Sequence, residues 1–322
     1  MINKDIVVSI LIPVYNGAKY IEKTIKSLLD QTYSNYEVIF IDDSSSDESL
    51  SILRQYEKED SRIKVYTKPN GGNAVKSLMY GLPLASGKYM FYSSQDDLYS
   101  SDLLEKMVEK ALSTGADAVI PEMIWYNDTD NTDERLVGIK GNKNIVLTGV
   151  EACGLSLDWE IHGFSLRNME LVRKIGYDDF AMNSDEYITR KFYLSCNKVV
   201  FSDGEFFYRQ DNIDAITKSL TVKTFEVSIT NIKLLNLLDE HNLNNEFKYY
   251  LLKSLRGIIG KYVLLLSNCV KLGVKGSYKS ASILYRTTNK LVVIIINKKL
   301  FIFCVINFFN KKHLLPSTLL EK

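Results

Sequence analysis

The feature that most constrains this chain is where its apolar runs stop. Val7–Ile12 stops at Pro13-Val14-Tyr15-Asn16, and Val38–Ile41 at Asp42-Asp43-Ser44-Ser45-Ser46-Asp47. Lys88–Tyr92 stops at Ser93-Ser94-Gln95-Asp96-Asp97. Each run reads as a short buried strand ending in polar groups. Between them lie helical patterns. Ile21, Ile25, Leu28 and Leu29 recur at helical spacing over Ala18–Gln31. A helix over Asp47–Glu59 has Asp47 as its N-cap. Strand Ile63–Thr67, the turn Asn70-Gly71-Gly72-Asn73 and a helix ending at Gly81 follow. Strands alternating with helices imply right-handed crossovers and a mostly parallel sheet. In such sheets ligands bind in the crevice beyond the carboxyl ends of the strands. The adjacent carboxylates Asp96 and Asp97 fall there, and they repel each other unless a cation or donor offsets their charge. A hard divalent ion with oxygen ligands meets that need, above all if it also grips a diphosphate.

Composition narrows the reading through its asymmetry. Over the whole chain the net charge is only +1. Residues 1–220 hold 24 basic and 34 acidic residues, net −10, whereas residues 221–322 hold 16 and 5, net +11. A functional boundary is therefore expected near residue 220. Cys153, Cys196, Cys269 and Cys304 form no CxxC pair, which disfavours a zinc site or disulfide framework. The first apolar run lies beside Asp5 and is broken by Pro13, unlike a secretory signal. A cytoplasmic amino-terminal domain is the expectation.

The segments SILIPVYNGAKYIEKTIKSLLDQ (Ser9–Gln31) and EVIFIDDSSSDES, and then the strand ending in QDD, resemble the nucleotide-binding half of a GT-A-fold, family 2 glycosyltransferase. The resemblance runs in order over about the first 100 residues and continues more weakly to about residue 210. It implies a GT-A, Rossmann-like α/β sheet. The nucleotide-sugar half would lie at about 1–100, the acceptor half at about 101–220, and a mainly helical region would follow.

The same resemblance assigns roles. Pro13, Tyr15 and Asp43 match positions that hold the nucleobase. Asp96 and Asp97 match a DxD or DxDD motif whose first acid is Ser94 here, and they carry the cation (Mn2+ or Mg2+) and the ribose, in either order. The family's N-x-G…A-R-N-x-G stretch is altered at Asn70–Gly81, where Leu78-Met79 replaces Arg-Asn. Lys76 is the substitute diphosphate contact there. The family's E-D-x-x-L, followed by K-[IV]-V, aligns Asp185 as the general base, Ser184 in place of the usual Glu, and Glu186 as runner-up one residue off register. The competing view of Asp185 is a helix-terminal acid favoured by the helix dipole. Arg209 and Lys218, in a stretch like the family's closing loop, would meet the diphosphate. Trp159 and His162 fall where acceptor contacts are expected, Trp159 as a stacking platform.

The tail has a chemistry of its own. Phe247, Tyr250, Leu251, Ile258, Ile259, Tyr262, Leu265 and Leu266 mark one helical face, with Lys248, Lys253, Arg256 and Lys261 largely off it. No acid occurs from Phe247 to Leu320. A basic amphipathic helix of this kind suits an anionic membrane surface. Leu291–Phe309 is interrupted by Asn297-Lys298-Lys299, and Leu300–Phe309 is short of the roughly 20 residues a spanning helix needs. Peripheral docking on the inner leaflet is expected, or else a soluble helical bundle. The apolar content argues against nucleic acid.

Together these features point to an inverting, metal-dependent transferase. It would use a nucleotide sugar, a UDP-sugar for preference, and a saccharide acceptor that is lipid-linked, as in capsule, exopolysaccharide or O-antigen assembly. A sugar nucleotidyltransferase should open with a Gly-rich basic loop, which Pro13–Gly17 is not. A dehydrogenase would carry GxGxxG after the first strand. The non-enzyme alternative is a degenerate transferase fold serving a membrane assembly complex, to which Ser94, Ser184 and Leu78-Met79 lend weight.

Overall fold

The computed structural model describes residues 7–128, 134–213, 215, 226–243, 254 and 257. Met1–Leu255 forms one compact unit and Arg256–Lys322 another. Every helix and strand named here belongs to the first. Lys218, the 247–266 residues of the amphipathic pattern and the Leu291–Phe309 run lie outside the described residues.

Four strands form the parallel half of the sheet: β1 (Val8–Val14), β2 (Tyr36–Asp42), β3 (Ile63–Thr67) and β4 (Tyr89–Tyr92). The crossover helices are α1 (Ala18–Leu29), α2 (Ser49–Glu59) and α3 (Ala74–Gly81). β5 (Leu98–Tyr99), α4 (Leu103–Thr114), β6 (Ala118–Tyr126), β7 (Arg135–Leu136), α5 (Gly149–Ser156), β8 (Leu166–Asn168), α6 (Met169–Ile175), α7 (Ser184–Ser195), β9 (Val199–Arg209) and α8 (Val227–Glu240) follow. The sheet order is β3-β2-β1-β4-β8-β6-β9-β5, with β7 on β6. β8 enters antiparallel between β4 and β6, and β6 and β9 run parallel to each other.

β1 is buried on both faces except at Pro13, and β2 throughout. Such strands need apolar side chains on both sides, which is why their sequences read as runs rather than alternations. α1 buries Tyr20, Ile21, Thr24, Ile25 and Leu28 against them; Leu29 is only half-buried. α2 begins at Ser49, two residues later than the sequence suggests, and Asp47 is not its N-cap. Its carboxylate instead accepts from Ser49 N (3.0 Å) and from Ala18 N (3.0 Å), so one acid serves the amino ends of α2 and α1 together.

Glu37 is the charged residue of β2's interior, 4% exposed. Burial alone would raise its carboxyl pKa, but Lys64, the Ser9 hydroxyl (2.6 Å) and both donors of Ser86 (N 2.6 Å, Oγ 2.8 Å) hold it down to about 2. These partners tie β1, β2, β3 and the approach to β4 at the sheet end opposite the polar strand termini. Gly87 permits the close approach there, since a Cβ would lie 2.7 Å from Ser9 N.

The packed unit continues past residue 220. α8 buries Ile232, Leu234, Leu235, Leu237 and Leu238. Thr230 Oγ1 donates to Asn183 Oδ1 (2.7 Å), and Met182 N donates to Glu226 Oε2 (2.9 Å). The shift in charge composition near 220 therefore does not coincide with the edge of the compact unit at Leu255.

Candidate active site

The polar strand ends converge as the α/β rule requires. β4 ends at Tyr92, and the chain turns through Ser93–Asp97 into β5, which pairs antiparallel with the carboxyl end of β9. Asp97 is 1% exposed. Its Oδ1 accepts from Arg209 N at 3.1 Å, while Oδ2 is buried with no partner among the described residues. Burial, then the neighbouring charge of Asp96, pushes the Asp97 carboxyl well above the usual carboxylate range. Asp96 keeps some exposure. It accepts from the Ser94 hydroxyl and from the Asn212 amide, both at 2.7 Å. Two hard oxygen donors, one of them buried and unpaired, fit a divalent cation. Among the described residues no group of three or more His, Cys, Asp or Glu side chains could hold a metal by itself.

Asp185 and Glu186 open α7, and the structure separates them. Glu186 is ion-paired with Arg190, whose side chain is 6% exposed and also donates to the Ser156 carbonyl. Among the described residues no basic side chain forms an ion pair with Asp185. It retains some solvent access, yet the protein around it is dense. Desolvation first and the Glu186 carboxylate second push its pKa up to about 7, against the opposing pull of the backbone N–H groups at the helix start and of Arg190. Ser184 accounts for its own departure from the family pattern. It is fully buried, its hydroxyl accepts from Ala181 N (2.9 Å) and Phe180 N (3.1 Å), and it donates to the Ala181 carbonyl (2.7 Å). The residue where the family places a Glu thus pins the turn that aims Asp185.

The two acidic groups lie near the same tyrosines. Tyr92 is held well above a normal phenol by burial, with Asp185, Tyr177 and Asp97 adding to the effect. Tyr208 is pushed up to about 12 by burial first, then by Asp97, Asp96, Glu186 and Asp185. Phe164 joins the two rings, 6.2 Å from Tyr92 and 5.6 Å from Tyr208 between centroids. An aromatic wall therefore links the acidic pair to Asp185.

On the β1–β2 side, Tyr15 is 48% exposed, as a stacking ring requires, and Pro13 is partly exposed beside it. Asp43 is 5% exposed, and its carboxylate is already engaged by Lys68 and by Gly71 N (2.8 Å) and Gly72 N (3.3 Å). It organises the 68–72 loop rather than standing open. Lys76, in the first turn of α3, reaches back to the same loop. Its ammonium donates to the Gly71 carbonyl (3.0 Å), pairs with Asp179 (3.3 Å) and remains 45% exposed. Gln95 ties this region to the acidic pair. Its amide accepts from Tyr15 N (2.8 Å) and donates to Tyr15 O (3.1 Å), over a Gly17 whose Cβ would lie 2.5 Å from it.

Two sequence-based assignments are corrected. Arg209 cannot serve as an open diphosphate contact, because its side chain is 0% exposed and committed to Asp128 and Asp211, both at 2.9 Å. His162 is 2% exposed and bonded to the Pro121 carbonyl (2.9 Å), and burial lowers its pKa to about 4, which makes it a neutral core residue rather than an acceptor contact. Trp159 is 44% exposed in a left-handed backbone conformation (φ 67°), which presents the ring at the surface beyond α5. Sequence reasoning gave no role to Lys68, Gln95, Asn212, Asp128, Asp179 or Phe164. Only Gln95 carried a signal, by standing in the motif.

A mixed α/β unit whose parallel strands end at an acidic pair is the architecture of a GT-A glycosyltransferase. The chain matches the family model for glycosyl transferase family 2 over residues 9–176, more than half its length, and it belongs to that family. It is 25% identical to the glycosyltransferase GlyG of Streptococcus pneumoniae serotype 4 over 278 residues, covering 74% of this chain and 89% of GlyG. It is 43% identical to a Bacillus subtilis glycosyltransferase named for teichuronic acid biosynthesis, TuaG, over 110 residues, covering 34% of this chain and 43% of TuaG. The crystal structure of S. aureus TarS 1-349 with UDP-GlcNAc shares the fold, with TM-score 0.60, 18% identity, and coverage of 87% of this chain and 79% of that one.

Proposed function

We propose that this glycosyltransferase moves a sugar from a nucleotide-sugar donor, a UDP-sugar for preference, to an acceptor hydroxyl with inversion at the anomeric carbon. The observation that carries the reading is the convergence of two unlike acids on one aromatic wall. Asp97, buried with an unpaired Oδ2, stands beside the partly exposed Asp96, and Asp185 has a raised pKa and no basic ion-pair partner among the described residues. Asp96 and Asp97 would hold a divalent cation, Mn2+ or Mg2+, whose charge offsets that of the leaving diphosphate. Tyr15 and Pro13 receive the base, with Asp43 shaping the 68–72 loop beside it, and Lys76 supplies a partly exposed cation from the first turn of α3. Asp185 takes the proton of the acceptor hydroxyl as its oxygen attacks the anomeric carbon from the face opposite the nucleotide. A carboxylate whose pKa lies near the working pH suits that task.

The acceptor reading is a lipid-linked saccharide of a surface polysaccharide, met at the inner leaflet through the basic tail, with Trp159 as its stacking ring. It is supported by the acid-free segment Phe247–Leu320 and by the similarity to TuaG. Among the described residues no helix is long and apolar enough to cross a membrane. The structural task of Ser184 removes one of the three departures that favoured the degenerate-subunit alternative. The test is incubation with a panel of UDP-sugars and lipid-linked saccharide extracts. Proton NMR should show an anomeric configuration opposite to that of the donor. A product that retains the donor's configuration would refute the single-displacement mechanism.

A further inference from the structure

Arg209 ends β9 more than 110 residues beyond the acidic pair, yet it grips that pair through two different atoms. Its backbone N–H donates to Asp97 Oδ1 (3.1 Å), and its side-chain Nε–H donates to the Asp96 carbonyl (2.8 Å). The guanidinium is itself held through Nη1 and by rings over its faces, while Nη2 is buried with no partner among the described residues. Nη1 donates to Asp128 Oδ2 and to Asp211 Oδ1, both at 2.9 Å. The Tyr20 and Tyr126 rings lie over it at 4.6 and 4.8 Å, one from α1 and one from β6. Asp128 is held in turn by Lys23 of α1 (2.8 Å) and by the Tyr126 hydroxyl. Three residues past Arg209, Asn212 donates to Asp96 Oδ2 (2.7 Å).

We propose that Arg209 is the positioning residue of the donor site. Through it α1, β6 and β9 set the spacing and orientation of the Asp96–Asp97 carboxylates, although it touches neither donor nor cation. Geometry rather than charge makes the case. A planar guanidinium offers donors in a fixed fork, so one side chain can bond Asp96 O through Nε and two carboxylates through Nη1 while its faces stack on rings. A Lys ammonium keeps the charge but presents its donors from one point, and it cannot meet the Asp96 carbonyl and both carboxylates at once.

This inference rests on the reading of Asp96 and Asp97 as the cation and donor pair, and the experiment separates the two. UDP binding is titrated calorimetrically with and without Mn2+ for the wild-type chain, Arg209→Lys and Asp128→Asn/Asp211→Asn, alongside UDP-sugar turnover. Arg209→Lys should fold, as judged by circular dichroism. It should weaken Mn2+-dependent UDP binding by tenfold or more and raise donor KM in parallel, leaving kcat at saturation within about threefold and Mn2+-independent binding unchanged. The double variant keeps the arginine and loosens its frame, so it should shift binding in the same direction by a smaller factor. It also serves if Arg209→Lys does not fold. A folded Arg209→Lys, or failing that a folded double variant, that binds UDP with wild-type Mn2+ dependence overturns the positioning role alone. A wild-type chain that binds no UDP with or without Mn2+ overturns the donor-pair reading, and this one with it.

Discussion

Replacing Asp185 by Asn tests the proposed base, and the structure sets both the size and the pH signature of the effect. Asp185 is pushed up to about 7 by burial and by Glu186. Below that pH the folded enzyme carries the neutral acid, which cannot accept a proton. Activity expressed as kcat/KM, which reports the free enzyme, should therefore fall about tenfold per pH unit below 7 and level off above it. Asp185→Asn should lower kcat roughly 100-fold, about 2.7 kcal/mol of transition-state stabilisation, and abolish that acid limb. UDP affinity should hold, because the proposed base acts on the acceptor hydroxyl and not on the nucleotide. Glu186→Gln should behave oppositely. It removes the like charge that raises Asp185 and frees the Arg190 guanidinium, and both changes favour the ionised form. The acid limb should then move down by roughly one pH unit, with kcat at pH 8 within about threefold of wild type. Stopped-time UDP release over pH 5–9 reads both variants. A crippled Glu186→Gln beside an active Asp185→Asn would refute the reasoning and shift the base by one residue.

Three further outcomes follow from the fold and the tail. Glu37→Gln should cost about 3 kcal/mol at pH 7 by urea unfolding, the linkage value of a carboxyl held at about 2 rather than 4.5. Because its folded pKa is depressed, the wild-type advantage should be complete above about pH 4.5 and vanish as pH falls toward 2. An unchanged unfolding midpoint at pH 7 would show that the Ser9–Lys64–Ser86 network contributes nothing. Gly149→Ala should destabilise by roughly 1–3 kcal/mol, since the new Cβ would sit 2.1 Å from the Tyr193 carbonyl oxygen and 2.4 Å from that of Cys196, both backbone atoms. Liposome flotation should carry the full chain with anionic vesicles at low salt, and Gln at Lys248, Lys253, Arg256 and Lys261 should weaken that binding by about 1 kcal/mol per charge. A chain that stays with the soluble fraction would remove the main support for a lipid-linked acceptor.

The parallel half of the fold was legible because its strands are buried on both faces. Val8–Val14 and Tyr36–Asp42 are mostly apolar, with Ser9 and Glu37 bonded to each other inside, and Asp43 marks the end of β2 as Asp96-Asp97 marks the turn after β4. β5, β7 and β8 are two or three residues long and leave no periodicity to read. Asp47 was recognised as a helix-start acid but misplaced, because a carboxylate that serves two helix termini looks in sequence like a cap for one. In the site, residue type was readable and commitment was not. Arg209 and His162 have the chemistry of ligand contacts, but Asp128, Asp211 and the Pro121 carbonyl occupy them from 41 to 81 positions away in the chain, except for Asp211 two residues on. Glu186, the runner-up to Asp185 on register, is likewise engaged by an Arg190 whose ion pair no pattern announces.

The most direct test of the donor site is the thermal unfolding midpoint of the wild-type chain and of Asp97→Asn as UDP and Mn2+ are raised together. A ligand bound only by the folded state stabilises it by about 2.7 kcal/mol at a hundredfold excess over its Kd. The wild-type midpoint should climb with UDP concentration when Mn2+ is present. Asp97→Asn should stay folded and show little or no climb. A wild-type midpoint that UDP and Mn2+ leave unmoved, or an Asp97→Asn midpoint that rises as far as wild type, would contradict the assignment of the Asp96–Asp97 pair.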